Sequence, residues 1–189
     1  RFAYISELEA LRSLVPAGAR GLEIGSGSAR FSEPLGVEFG VDPSMRMNLI
    51  ARKRGLSVVC GVAESLPFSD GGFEFVLMVT TICYVDDPFA SFREAWRVLA
   101  PSGRMIVGFI DRESPLGKEY ERKKDKSLFY GPATFFSTTE VLGLLKEAGF
   151  GDFSIVQTIF GDPRALTAPE PVKNGFGEGS FVAISAGKY

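Results

Sequence analysis

The chain has 189 residues, 45% apolar and 23% charged, enough for one domain with a sizeable core. Its formal net charge of −2 and pI of about 5.4 leave no electrostatic footprint for a nucleic-acid backbone. The absence of histidine removes the commonest metal ligand and the commonest general base together.

No uncharged run is long enough to span a bilayer and no signal peptide is visible, so a soluble, cytoplasmic protein is expected. Cys60 and Cys83 lie far apart in strand-like surroundings, which predicts buried free thiols rather than a disulfide. The sequence opens on Arg1, so a preceding segment is expected.

Phe2 to Leu14 carries apolar residues at helical spacing and ends at Pro16 and Gly18. Gly21 to Ile24 reads as the first strand. It is followed by Gly25 and Gly27 at alternate positions and a short helical turn from Ala29 to Leu35. Val37 to Val41 is the second strand, ending in Asp42. An acid, Glu23, near the end of the first strand, a glycine turn and a second acid at the next strand end are what a Rossmann-type half-sheet needs to present an adenosine-containing ligand. Glycine lets the backbone approach, and the second acid can accept both ribose hydroxyls.

Ser44 caps a predicted helix to Arg54, and Leu56 to Cys60 is a third strand. Phe73 to Val79 is a continuous apolar run, as in a strand buried on both faces. Asp87-Pro88 opens a helix whose Phe89, Phe92, Trp96 and Leu99 form one core stripe. Pro101-Ser102-Gly103 is read as a turn into another strand, Met105 to Ile110. The alternation of strand and helix argues for a mostly parallel α/β sheet with right-handed crossovers, a Rossmann-like three-layer sandwich.

From Asp111 to Phe136 the pattern breaks. Lys118 to Lys126 holds five basic residues against three acids, a solvated helix face or a mobile insert. Its aromatic residues Tyr120, Phe129, Tyr130, Phe135 and Phe136 suit a substrate lid or a secondary core. Ser137-Thr138-Thr139-Glu140 is a capping box for a helix to Ala148-Gly149. Phe153 to Phe160 and Ser180 to Ala186 read as the last strands, joined by a long link from Gly161 to Gly179. One domain, residues 1–189, is expected.

Five blocks in order carry a resemblance. They are Leu22-Glu23-Ile24-Gly25-Ser26-Gly27-Ser28-Ala29; Gly40-Val41-Asp42-Pro43-Ser44; Gly61-Val62-Ala63-Glu64-Ser65-Leu66-Pro67-Phe68; Phe73-Glu74-Phe75-Val76 continuing to Cys83-Tyr84-Val85-Asp86-Asp87-Pro88; and Glu94-Ala95-Trp96-Arg97-Val98-Leu99. From about residue 21 to 150 the chain resembles the class I S-adenosylmethionine-dependent methyltransferases, most of all the small-molecule branch with the ubiquinone and menaquinone biosynthesis C-methyltransferases. The resemblance implies a seven-stranded, mostly parallel sheet with an antiparallel last strand. It implies S-adenosylmethionine as cofactor and methyl transfer to a small-molecule acceptor; the acidic pI and the lack of a basic stripe speak against a nucleic-acid acceptor, while a peptide acceptor stays open. It would put Glu23, Gly25 and Gly27 beside the methionine part of the cofactor, Asp42 at the ribose, Ala63 and Glu64 at the adenine edge, and Thr80 and Thr81 near cofactor and substrate.

Three positions depart from the family pattern. Ala29 stands for a third glycine, Val62 for an acid, and Tyr84 for a nearby histidine. These departures leave a non-catalytic cofactor-binding or interaction protein on the same scaffold as the rival reading. No catalytic residue is assigned; Asp86, Asp111, Glu113, Tyr84 and Tyr130 are the candidate bases. No metal site is expected. Tyr120-x-x-x-Lys124 matches the pair of short-chain dehydrogenases, but the first glycine turn lacks their spacing.

Overall fold

The structure is a computed structural model that describes residues 1–128 and 130–189. Phe129, counted above with the insert's aromatic residues, lies outside the described residues. Among the described residues eight strands form one sheet in the order β3-β2-β1-β4-β5-β8-β6-β7. In chain order these are β1 (Gly21–Ile24), β2 (Phe39–Asp42), β3 (Ser57–Cys60), β4 (Phe73–Val79), β5 (Leu99–Ile110), β6 (Phe150–Thr158), β7 (Lys173–Asn174) and β8 (Phe181–Lys188). The first five run parallel, and β8 is antiparallel to both β5 and β6. Seven of these strands match the expected plan. The eighth, β7, is a two-residue edge strand inside the long link from Gly161 to Gly179, paired to Val156 and Gln157.

Side-chain alternation decides what each sheet face holds. Leu22, Ile24, Val76, Met78, Met105, Val107, Val182 and Ile184 enter one core. Their neighbours Phe75, Leu77, Val79, Ile106, Phe181 and Ala183 enter the other. The first face is covered by α4 (Pro88–Val98) and α6 (Thr138–Glu147), through Phe92, Ala95, Val98, Val141 and Leu145. The second is covered by α1 (Phe2–Arg12), through Ala10 and Leu11. Two further helices follow β1 and β2, α2 (Ser32–Leu35) and α3 (Met45–Lys53); Ala51 of α3 joins Ala29, Leu56 and Val58 in a smaller cluster.

Local chemistry sets the helix starts. The Asp87 carboxylate accepts from Ala90 N at 3.0 Å, with Pro88 in the first turn, where its missing N–H costs nothing. Ser44 Oγ accepts from Met47 N at 3.4 Å. At α6 the capping box is complete: Ser137 Oγ accepts from Glu140 N, and the Glu140 carboxylate accepts from Ser137 N at 2.7 Å.

Two expectations change. The segment Pro101-Ser102-Gly103 is not a turn between elements but part of β5, which begins at Leu99. Ser102 takes a φ of +62° there, and the β4–β5 register slips between Phe73 and Phe75, so an irregular strand start absorbs the bend. Cys60 is exposed rather than buried, because β3 is an edge strand; Cys83 is only partly buried, and both thiols are free. The charged insert contains a fifth helix, α5 (Pro115–Lys123), started by Ser114 Oγ accepting from Gly117 N at 3.0 Å. Among the described residues no helix is long and apolar enough to cross a membrane.

Candidate functional site

The strand order reverses between β1 and β4, and there the carboxyl ends of β1, β2 and β4 border a crevice of about 480 Å³. Gly25, Gly27, Asp42, Ala63, Glu64 and Thr80 all line it. Gly25 and Gly27 turn the chain with φ of +69° and +51°. A Cβ at Gly25 would lie 2.3 Å from the Thr81 side chain, so packing and backbone both require glycine there. At Gly27 a Cβ would meet nothing, and the left-handed backbone alone favours glycine. Ala29 continues the turn at φ +60°, fully buried, in a backbone conformation that favours glycine.

Asp42 is buried, and its two carboxylate oxygens divide their work. Oδ2 accepts from Gly27 N at 2.9 Å and Oδ1 from Ser44 N at 2.8 Å. The carboxylate therefore fixes the glycine turn and the start of α3, and each oxygen keeps a lone pair for a ligand hydroxyl. Glu64 Oε1 accepts from the backbone of Asp86 and Asp87 at 2.8 and 3.2 Å, which ties the loop after β4 to the far wall. The crevice volume falls within the ~300–1,000 Å³ of small-molecule sites. With open glycine backbone, one carboxylate at the second strand end and apolar Val41, Val62 and Ala63 beyond it, an adenosine-containing ligand fits.

Glu23 does not line the crevice. It is buried beneath the turn, where Ser32 Oγ donates to its carboxyl. Burial pushes its pKa up to about 8, with the nearby Asp42 charge adding to the rise and the Ser32 bonds opposing it. It therefore retains its proton at neutral pH.

Thr80 follows β4 at φ +50°, a costly conformation for a β-branched residue, pinned by its N–H donating to Gly108 O at 2.7 Å. It lines the crevice and also a second cavity of about 260 Å³; Tyr84 does the same. The second cavity is walled by Ile82 and Cys83 after β4, Phe109 of β5, Leu116 and Tyr120 of α5, Tyr130, Phe135, Phe136 and Pro163. Ala3 and Glu7 of α1 close it. Tyr120 stacks on Tyr130 at 4.5 Å between ring centroids, with Phe135 about 6 Å from both. Burial raises Tyr84 and Tyr120 above the ordinary phenol range and pushes Cys83 up to about 12, so all three stay neutral.

Glu7 was not singled out from the sequence. Its signal is an acid on the inward stripe of α1, four residues after Ala3 and three before the buried Ala10. Its carboxyl makes no hydrogen bond or ion pair among the described residues, and burial raises its pKa to about 7 against the pull of Arg30.

The candidate bases part ways. Asp111 is buried, accepting from Thr138 Oγ1 at 2.5 Å and Glu113 N at 2.8 Å, so it organises the start of α6. Glu113 is exposed and pairs with Arg112 and Lys118. Asp86 lines the crevice, and Tyr84 and Tyr130 the second cavity. Lys124 donates to Ala133 O at 3.0 Å while Tyr120 stacks on Tyr130, so no dehydrogenase-like pair forms. Arg97, given no role from the sequence, binds Glu94, Asp70 and the carbonyls of Leu66 and Phe68, which fastens the segment after the crevice wall at Gly61–Glu64 to α4. No group of acids or cysteines among the described residues could hold a metal ion.

A family model described as a methyltransferase domain matches residues 22–107. The chain superimposes with a TM-score of 0.98 on a Thermotoga maritima crystal structure described as an S-adenosylmethionine-dependent methyltransferase, possible histamine N-methyltransferase. The two are 54% identical, over 100% of this chain and 91% of that one. An uncharacterized protein of Methanocaldococcus jannaschii is 49% identical over 98% of this chain and 89% of its own length. An uncharacterized protein of Mycobacterium tuberculosis is 39% identical over 96% of this chain, which spans 65% of that relative.

Proposed function

This chain belongs to the S-adenosylmethionine-dependent methyltransferase family, and on that premise we propose that it transfers the cofactor's methyl group to a compact small molecule. One observation carries the reading: the crevice at the strand ends and the apolar cavity share Thr80 and Tyr84 as a common wall. A donor site and an acceptor site that meet at two residues are what an in-line transfer requires.

The cofactor, when bound, supplies a methyl group activated by its sulfonium. The protein's part is to hold and to align. Asp42 accepts the ribose hydroxyls with the lone pairs its backbone bonds leave free. The backbone of Gly25 and Gly27 lies against the methionine part. Ala63 and Val62 receive the adenine, with Glu64 fixing the loop that borders it. Thr80 and Tyr84 stand at the junction, and Tyr120, Tyr130, Phe135 and Phe136 act as a lid that keeps water from it.

The blocks that suggest the quinone-biosynthesis branch leave a ring-sized acceptor as the finer reading. A cavity of about 260 Å³ has room for such a ring but not for a long isoprenoid tail. The test is to follow labelled methyl groups from S-adenosylmethionine into a metabolite extract. Label in the small-molecule fraction is expected; label only in protein or nucleic acid, or none at all, overturns the reading.

A further inference from the structure

We propose that the acceptor is an organic amine, received as its ammonium form by Glu7 within a box of aromatic rings, and that the Glu7 carboxylate takes the proton the nitrogen must shed. The inference rests on the reading of the second cavity as the acceptor site.

Glu7 is the sole charged residue among those described around this cavity. The other polar groups there are neutral: the Thr80 hydroxyl, the Cys83 thiol, and the phenols of Tyr84, Tyr120 and Tyr130. A carboxylate without a partner, set among rings whose faces are electron-rich, is costly when empty and complementary to an ammonium ion. A neutral hydroxyl can donate a hydrogen bond to it but forms no ion pair with it. An anionic acceptor is repelled, and a ketone or quinone finds no donor in the carboxylate.

The charged groups around Glu7 come from every neighbouring element. Arg30 follows β1, exposed and lying over the Tyr4 ring at 4.2 Å. On α5, Glu119 is held by Lys123 and Arg164, and Arg164 also binds Asp162 beside Pro163. Both of those acids are lowered by their cations and remain ionised, so Glu7 alone changes charge near neutrality.

An ammonium nitrogen has no lone pair to offer. Passing one proton to the carboxylate frees the pair. The nitrogen then bonds to the methyl carbon as the carbon–sulfur bond breaks, its electrons staying on the sulfur. The proton rests on Glu7 until solvent removes it. A carboxyl with a pKa of about 7 is matched to that exchange at neutral pH.

Calorimetry on protein saturated with S-adenosylhomocysteine tests the proposal, using phenethylamine against its isosteric alcohol, 2-phenylethanol. At pH 7.5 the amine is expected to bind at least tenfold more tightly. Glu7→Gln, which preserves shape, should abolish that preference and leave the alcohol's affinity and the S-adenosylhomocysteine affinity unchanged. Phenethyltrimethylammonium, whose charge is fixed, should weaken roughly tenfold per pH unit below about pH 7 in the wild type and not in Glu7→Gln. Equal affinity for amine and alcohol overturns the proposal, as does undiminished amine binding in Glu7→Gln. Absence of amine binding in protein that still binds S-adenosylhomocysteine overturns it too. Loss of S-adenosylhomocysteine binding with the amine preference intact would instead overturn the cofactor reading and support the amine site.

Discussion

Replacing Glu23 with glutamine should make the protein more stable at alkaline pH and barely change it at acid pH. The fold raises this carboxyl from its ordinary 4.5 to about 8, mainly by burial. The native state therefore holds a proton that the unfolded chain releases as pH rises. A raised acid contributes stability below the unfolded pKa and loses it progressively up to the folded one. Each pH unit inside that window costs about 1.4 kcal/mol, so going from pH 5 to pH 8 removes about 3 kcal/mol. Glutamine keeps the size and a carbonyl oxygen for the Ser32 hydroxyl, and it does not titrate. Urea unfolding of both proteins at pH 5, 6.5 and 8 should show curves that nearly coincide at pH 5. They should separate by about 3 kcal/mol at pH 8, with the variant the more stable. Glu7 titrates alike in both and cancels from the difference. Parallel pH dependences in the two proteins would refute the reasoning, because they would mean that Glu23 is ionised in the folded state.

Two further predictions concern the frame of the crevice. Ala29→Val places a β-branched side chain at φ +60° in a fully buried position, and should destabilise by more than about 2 kcal/mol. Ala29→Gly relieves strain but loses a buried methyl and gains chain entropy when unfolded, so it should stay within about 1 kcal/mol of wild type. Thermal melts separate the pair, and a well-tolerated valine would contradict the strain assigned to Ala29. Arg97→Ala removes the side-chain bonds from α4 to Leu66 O, Phe68 O and Asp70, and leaves the Glu94 bond to Leu66 N in place. It should cost about 2 kcal/mol, a Tm drop of roughly 4–8 °C, with Arg97→Lys recovering less than half. An unchanged Tm in Arg97→Ala would show those bonds to be solvent-equivalent.

The features legible in the sequence share one property: their chemistry is local. Asp87-Pro88 and the Ser137–Glu140 box each satisfy backbone groups within three residues, and both helices begin where those residues put them. The run Phe73–Val79 announces a strand buried on both faces because no polar side chain except Glu74 interrupts it. Gly25, Gly27 and Asp42 are legible because glycine and acid at strand ends have few other uses. What the sequence hid depends on distant partners. Glu23 looks like a crevice residue until the strand's alternation turns its carboxyl beneath the turn toward Ser32. Ser102 in left-handed backbone carries β5 through a segment that local rules read as a turn. Helix α5 was obscured by its charges, although Ser114-Pro115 is a sound start signal. Glu7 acquires its meaning only when α1, α5 and the strand ends close around one cavity.

The central claim is that Asp42 clasps the sugar of a methyl donor whose methyl group faces the second cavity. Its most direct test is labelled methyl transfer from S-adenosylmethionine, measured with equilibrium cofactor binding, in wild type and Asp42→Ala. Loss of the carboxylate frees the amides of Gly27 and Ser44 and, on the proposed reading, removes two charge-assisted bonds to the ribose. At roughly 1.5–3 kcal/mol for each charged bond, cofactor affinity should fall about 100-fold or more, with label transfer falling in step. Unchanged affinity and transfer in Asp42→Ala would contradict the claim.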